Sequence, residues 1–304
     1  MALVVCYVSE CAAILAEQKG HHVSIIRPSQ LLGIAGFLFF VCNPVQCTAD
    51  QTPIPPAKAI QFEGDLPYTP KPLTLKGYLR RPAEAGRYPA IVLLHDCGGN
   101  AERLDQNWGQ RLASWGYVTL AVDSFGPRGI ANLCGRRPPP DLAFDPYRAL
   151  TYLARQPFVD AKRIVVMGVS LGGAIALQSV ERGAFEQMYE HKFRAAVAFY
   201  PICSYLTGVM AAPSLILIGE LDKFAQGCRD MVNGRSSDPG ISRTVGEGIP
   251  VRLVVYPDTH QGFDVTRFKD PIEYLGYHLE FNQSATDQSI EALREFLHTT
   301  AGDR

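Results

Sequence analysis

Apolar residues in this chain gather into short, nearly unbroken runs of strand length. They are AIVLLH (Ala90–His95), YVTLAVD (Tyr117–Asp123), RIVVMG (Arg163–Gly168), AAVAFY (Ala195–Tyr200), SLILIG (Ser214–Gly219) and VRLVVYP (Val251–Pro257). A strand that is apolar on both faces suits a sheet covered on both sides. Between the runs lie amphipathic stretches of helical length at Glu102–Trp115, Asp145–Gln156, Leu171–Phe185 and Ser289–His298. Such alternation predicts an α/β fold: a doubly wound, mostly parallel sheet with helices on both faces. Ahead of the first run, LTLKGYLRRP alternates with period two, as an antiparallel edge strand does. The pattern reads as one domain over residues 50–304.

In sheets of this kind ligands collect at the carboxyl ends of the strands. Three of the runs end there in a serine, an aspartate and a histidine, in that chain order: Ser170, Asp222 and His260. Ser170 lies in GVSLG (Gly168–Gly172), a G-x-S-x-G turn between a strand and a helix, which is the context that turn requires. The sharp turn exposes the hydroxyl, and the Leu171 amide and the positive end of the following helix point into the same space. A serine nucleophile needs a base, and the base an orienting acid. Asp222 is the expected acid, with Glu220 its competitor nearer the strand end. HDCGGN (His95–Asn100) follows the first buried strand, where Asp96 or Cys97 would give the second oxyanion amide and His95 would anchor the loop.

Composition narrows the setting. The chain has 304 residues, is 47% hydrophobic and 19% charged, and carries a formal net charge of −1. That balance makes no electrostatic case for nucleic acid or an anionic membrane. Residues 1–49 read as a leader with a signal peptide: Arg27, an apolar run Leu31–Cys42, Pro44, and a cleavage point after Ala49. The run is short of the about 20 residues that a membrane span needs. A secreted or periplasmic location follows, with no membrane association after cleavage. Removing the leader leaves Cys97, Cys134, Cys203 and Cys228, an even set suited to disulfides. Cys97 and Cys134 follow neighbouring N-terminal strands, and Cys203 and Cys228 neighbouring C-terminal ones, which favours those two pairs. No cysteine spacing suggests a structural metal site.

Taken in order, PAIVLLHDCGGN, VDSFGPRG, MGVSLGG, AFYPIC, LILIGELD and VVYPDTHQGFD resemble dienelactone hydrolase-like proteins of the α/β-hydrolase superfamily, from about Leu75 to Leu297. The likeness is to the exported branch bearing serine, since dienelactone hydrolase itself has cysteine at the nucleophile. The resemblance implies an α/β-hydrolase fold and cleavage of a small ester or lactone through an acyl-enzyme, with no metal and no organic cofactor. Two positions depart from the family. Its catalytic histidine stands two residues before phenylalanine, where this chain has Gln261 before Gly262-Phe263 and carries His260 one residue earlier. Glutamine cannot serve as a general base. The family also grips a substrate carboxylate with arginines. Arg128 matches one of them approximately, and the other region reads FDV with Asp264.

The expected function is therefore carboxylic-ester hydrolysis by Ser170, His260 and Asp222 on a small-molecule substrate. The alternatives are a fold that kept its ligand pocket and lost its base, and a small peptidase.

Overall fold

Tyr88–Leu94 buries every side chain, as do Ala195–Phe199 and Ser214–Gly219, so the centre of the molecule is a sheet covered on both faces. The computed structural model describes residues 54–63, 73–235, 241 and 246–302; the leader and its cleavage point lie outside the described residues. The main sheet contains β1 (Lys58–Glu63), β2 (Thr74–Arg80), β3 (Tyr88–Leu94), β4 (Val118–Asp123), β5 (Val159–Val169), β6 (Ala195–Phe199), β7 (Ser214–Gly219) and β8 (Val251–Tyr256). Its order is β1-β2-β4-β3-β5-β6-β7-β8. Pairing is antiparallel between β1 and β2 and between β2 and β4, and parallel from β4 to β8. The period-two stretch LTLKGYLRRP is antiparallel as expected, but it is not the edge: β1 pairs outside it, Leu75 opposite Phe62.

The helices are α1 (Ala101–Leu104), α2 (Gln110–Ser114), α3 (Asp145–Ala154), α4 (Leu171–Gln178), α5 (Ala184–Gln187), α6 (Ala225–Val232) and α7 (Gln283–Ala301). A π turn, Asp105–Gly109, joins α1 to α2. There the buried Asp105 carboxylate meets the Arg80 guanidinium of β2 at 2.6 and 3.1 Å. The stretch predicted as one helix over Leu171–Phe185 is divided. After Gln178 the chain turns to bond with another loop, with Arg182 N–H donating to Val209 O and Ala211 N–H to Val180 O. Helix α7 begins earlier than its apolar stripe suggested, because the Asn282 side chain caps it by accepting from Ala285 N–H at 3.0 Å.

A two-stranded hairpin, β9 (Ile272–Tyr274) and β10 (Tyr277–Leu279), sits between β8 and α7 and was not visible in the hydrophobic pattern. The disulfides Cys97–Cys134 and Cys203–Cys228 are formed. Each ties down a loop at the carboxyl edge of the sheet. No helix among the described residues is long and apolar enough to cross a membrane.

Candidate active site

Strand β5 ends directly at Ser170, whose backbone is forced to φ 52°, ψ −114°, a region that side-chain-bearing residues seldom occupy. The turn is held from both sides. Ser170 N–H donates to Phe199 O at 2.9 Å, and Ala174 N–H donates to Ser170 O at 3.0 Å. Close approach explains the flanking glycines. A Cβ at Gly168 would lie 2.1 Å from Gly172 O, and one at Gly172 would lie 2.3 Å from Leu94 O. The Leu171 amide opens α4, in a first turn whose N–H groups have no intrahelical acceptor.

The loop after β3 is shaped by His95 and by the first disulfide. The buried His95 ring bridges its own loop to the next one, with Nδ1 2.8 Å from Asp96 O and Nε2 accepting from Ser124 N–H at 3.3 Å. That pattern puts the ring proton on Nδ1. The Asp96 carboxylate accepts from Gly98 N–H at 2.7 Å and is thereby held within its own turn. Cys97 O accepts from Leu133 N–H at 2.8 Å beside the Cys97–Cys134 bond.

Asp222, in the turn after β7, is 5% exposed. Its Oδ1 accepts from Phe224 N–H at 2.8 Å, while the buried Oδ2 has no partner among the described residues. Burial pushes its carboxyl up to about 6, against the Phe224 amide and the Lys223 charge. Glu220 instead accepts weakly from Asp258 N–H at 3.4 Å at the exposed surface. The loop of Asp222 is stitched to the one after β8, since Leu221 N–H donates to Thr259 O at 2.9 Å.

Asp222 carries a test of its own. Its folded value lies above the ordinary carboxylate value of about 4, so its stabilising contribution is complete below pH 4 and is lost as pH rises through about 6. We expect Asp222→Asn to remove a loss of roughly 3 kcal/mol over that window, read by denaturant unfolding from pH 4 to 7. Parallel curves for the two proteins would refute the assignment.

The base position departs from the sequence expectation. It is Gln261, not His260, that faces Ser170: Gln261 Nε2 lies 3.3 Å from Ser170 Oγ and the residue is 7% exposed. Asp258 takes a positive φ of 47° in the turn after β8, and Gln261 bridges Leu279 of β10. Together these fix the register, so neighbouring residues point to opposite sides. His260 lies against the hairpin instead, its ring centroid 4.0 Å from that of His278 and its Nε2 4.0 Å from Glu280 Oε2. Gln261 Oε1, like Asp222 Oδ2, is buried with no partner among the described residues.

Arg128 is also placed differently from the expectation of a substrate anchor. Its guanidinium is folded inward, with Nε on Asp141 at 2.9 Å, Nη1 and Nη2 on Asp145 at 2.8 and 3.0 Å, and Nη1 also on Ser124 O at 2.8 Å. All its donors are directed into the loop, and Asp145 is itself fully buried.

The cleft next to the elbow is lined by His95, Asp96, Val169, Trp108 and Tyr200. Its floor is set by Asp264, which accepts from Trp108 Nε1–H at 2.9 Å and from Tyr200 O–H at 2.7 Å. The Asp264 carboxylate thus positions two aromatic rings. Sequence reasoning missed that role because both partners are far away along the chain. The cleft continues into a cavity of about 420 Å³ that includes Arg103, Arg111 and Arg267 in its lining.

Comparison with solved structures recovers the same architecture. A dienelactone hydrolase-like promiscuous phosphotriesterase from metagenomic libraries is 18% identical with a TM-score of 0.58, over 81% of this chain and 99% of its own. Esterase 2 of Thermogutta terrifontis, solved phosphonylated by sarin, is 17% identical with a TM-score of 0.58, over 83% of this chain and 98% of its own. Dipeptidyl peptidase 4 of Porphyromonas gingivalis is 17% identical with a TM-score of 0.56, over 82% of this chain but 36% of its own. At these identities the likeness is one of fold. No curated protein matches the chain. The pattern of the dienelactone hydrolase family matches residues 75–301, most of the chain. This chain belongs to the dienelactone hydrolase family.

Proposed function

We propose that the protein is a serine hydrolase of small esters whose turnover is held low by Gln261, so that it binds and slowly acylates rather than cycling fast. The observation that carries the reading is the carboxamide at 3.3 Å from Ser170 Oγ. In the reaction Ser170 Oγ would attack the ester carbonyl, and the oxyanion would form under the Leu171 amide and an amide of the Asp96–Cys97 loop. The alcohol would then leave with a proton, and water would release the acid. An imidazole at position 261 would take the hydroxyl proton and pass it to the leaving alcohol. The carboxamide donates to Oγ, engaging a lone pair that attack requires. Turned about its last bond it would accept the hydroxyl hydrogen, but in neither orientation does it remove a proton.

The elbow geometry, the oxyanion amides and the buried Asp222 all support a retained acyl-transfer apparatus that lacks only its base. A binding protein with no turnover is the limiting form of the same reading. Peptidase action has less support, because the peptidase relative is covered over only 36% of its length. Disulfides at the rim of the site favour action in an oxidising compartment.

Fluorophosphonate labelling tests the proposal. We expect slow labelling confined to Ser170 and lost in Ser170→Ala. Labelling as rapid as that of an esterase with a complete triad under the same conditions would show a working base, and labelling retained in Ser170→Ala would displace the nucleophile.

A further inference from the structure

On the side of the β8–β9 loop facing away from Ser170, two imidazoles and a carboxylate converge. His278 Nε2 lies 3.0 Å from Glu280 Oε2, and His260 Nε2 lies 4.0 Å from the same oxygen. One ligand atom from each residue falls within 4.8 Å of the others. We propose that His260, His278 and Glu280 bind one divalent transition metal ion of the zinc class, with Glu273 orienting His278.

The arrangement rests on backbone pairing as well as on side chains. In the hairpin, His278 stands directly opposite Glu273, so both project from one face. Gln261 pairs with Leu279, and Glu280 N–H donates to Gln261 O at 3.2 Å, which brings His260 alongside β10. Two histidines and one glutamate are a ligand set that zinc uses where a further position is left to water. The Glu273 carboxylate lies 2.7 Å from His278 Nδ1. A carboxylate on the far nitrogen of a metal-bound imidazole fixes its tautomer and orientation.

A simple ion pair accounts for less of this. It would need one histidine between two glutamates. It gives no reason for a second ring beside the first, tilted 45° to it, with its nitrogen near the same oxygen. The site is independent of the proposed hydrolysis, because Gln261 turns to the other side of the loop.

The test uses the full chain, stripped with chelator, dialysed, and titrated with cobalt(II) and with zinc(II). We expect one equivalent of cobalt(II) to give the visible absorption of a low-coordinate nitrogen and oxygen site. It should lack the near-ultraviolet thiolate band that cysteines elsewhere in the chain would produce. Zinc(II) should displace the cobalt and raise the melting temperature. His260→Ala and His278→Ala should each abolish the one-equivalent step, while His191→Ala should retain it. Glu273→Gln, which removes no ligand, should weaken binding by about 10–100-fold. The proposal is overturned by the absence of a cobalt spectrum at millimolar metal, by a thiolate band, or by a step that survives the two alanine variants combined. Far-ultraviolet circular dichroism checks that each variant is folded.

Discussion

Gln261→His should raise ester turnover by about 10²–10⁴-fold, the usual worth of a positioned general base. The carboxamide already occupies the position from which a ring nitrogen would meet Ser170 Oγ. The proposed function takes the remaining parts from the strained elbow, the helix-terminal amide, and a buried carboxylate on a loop bonded to the one that bears Gln261. The same assay should show His260→Ala nearly silent, since that imidazole faces Glu280 and His278. Hydrolysis of a short-chain aryl ester by the three proteins, side by side, reads both outcomes. If His260→Ala abolishes activity and Gln261→His adds nothing, the loop adopts another register in solution and the proposed function is wrong.

The second large effect concerns stability. Arg128→Met should destabilise the fold by about 3–5 kcal/mol, because it strips a buried carboxylate of its main partner. Asp145 is fully buried, and burial pushes its carboxyl upward while the guanidinium bonds from Arg128 oppose that push. Arg148 still reaches one Asp145 oxygen at 3.1 Å, so the loss should fall near the lower bound. That corresponds to a melting temperature lowered by roughly 6–12 °C. A variant that melts like the wild type while its KM rises would restore Arg128 to the role of substrate anchor.

These two residues also mark where the sequence stopped being informative. The fold was legible because its strands are buried on both faces: Ala195–Phe199 and Ser214–Gly219 are continuous apolar runs that no surface element would tolerate. The strand–turn–helix geometry at Ser170 was legible because its motif and its structural context are both local. Both cystine pairs could be placed because strand order decides which loops adjoin. The direction of His260 was not legible. It depends on one turn, at Asp258, and on a single bridge to a hairpin whose short strands have no hydrophobic signature. Arg128 resembled a ligand anchor because its acceptors, Asp141 and Asp145, lie beyond an irregular loop with no periodicity to announce the contact. Asp264 was read as a missing arginine, when in the folded chain it joins Trp108 and Tyr200 across long sequence separations.

The carboxamide against Ser170 has a consequence at the level of the gene. Glutamine and histidine codons differ only in their final base, so a single transversion would put an imidazole beside Ser170. A designed library is not needed to search for the change. Growth of a bacterial host on an ester as its carbon source, with this gene under random mutagenesis, would place selection on that one position. On the proposed function, the inherited fold would supply the other parts of the site.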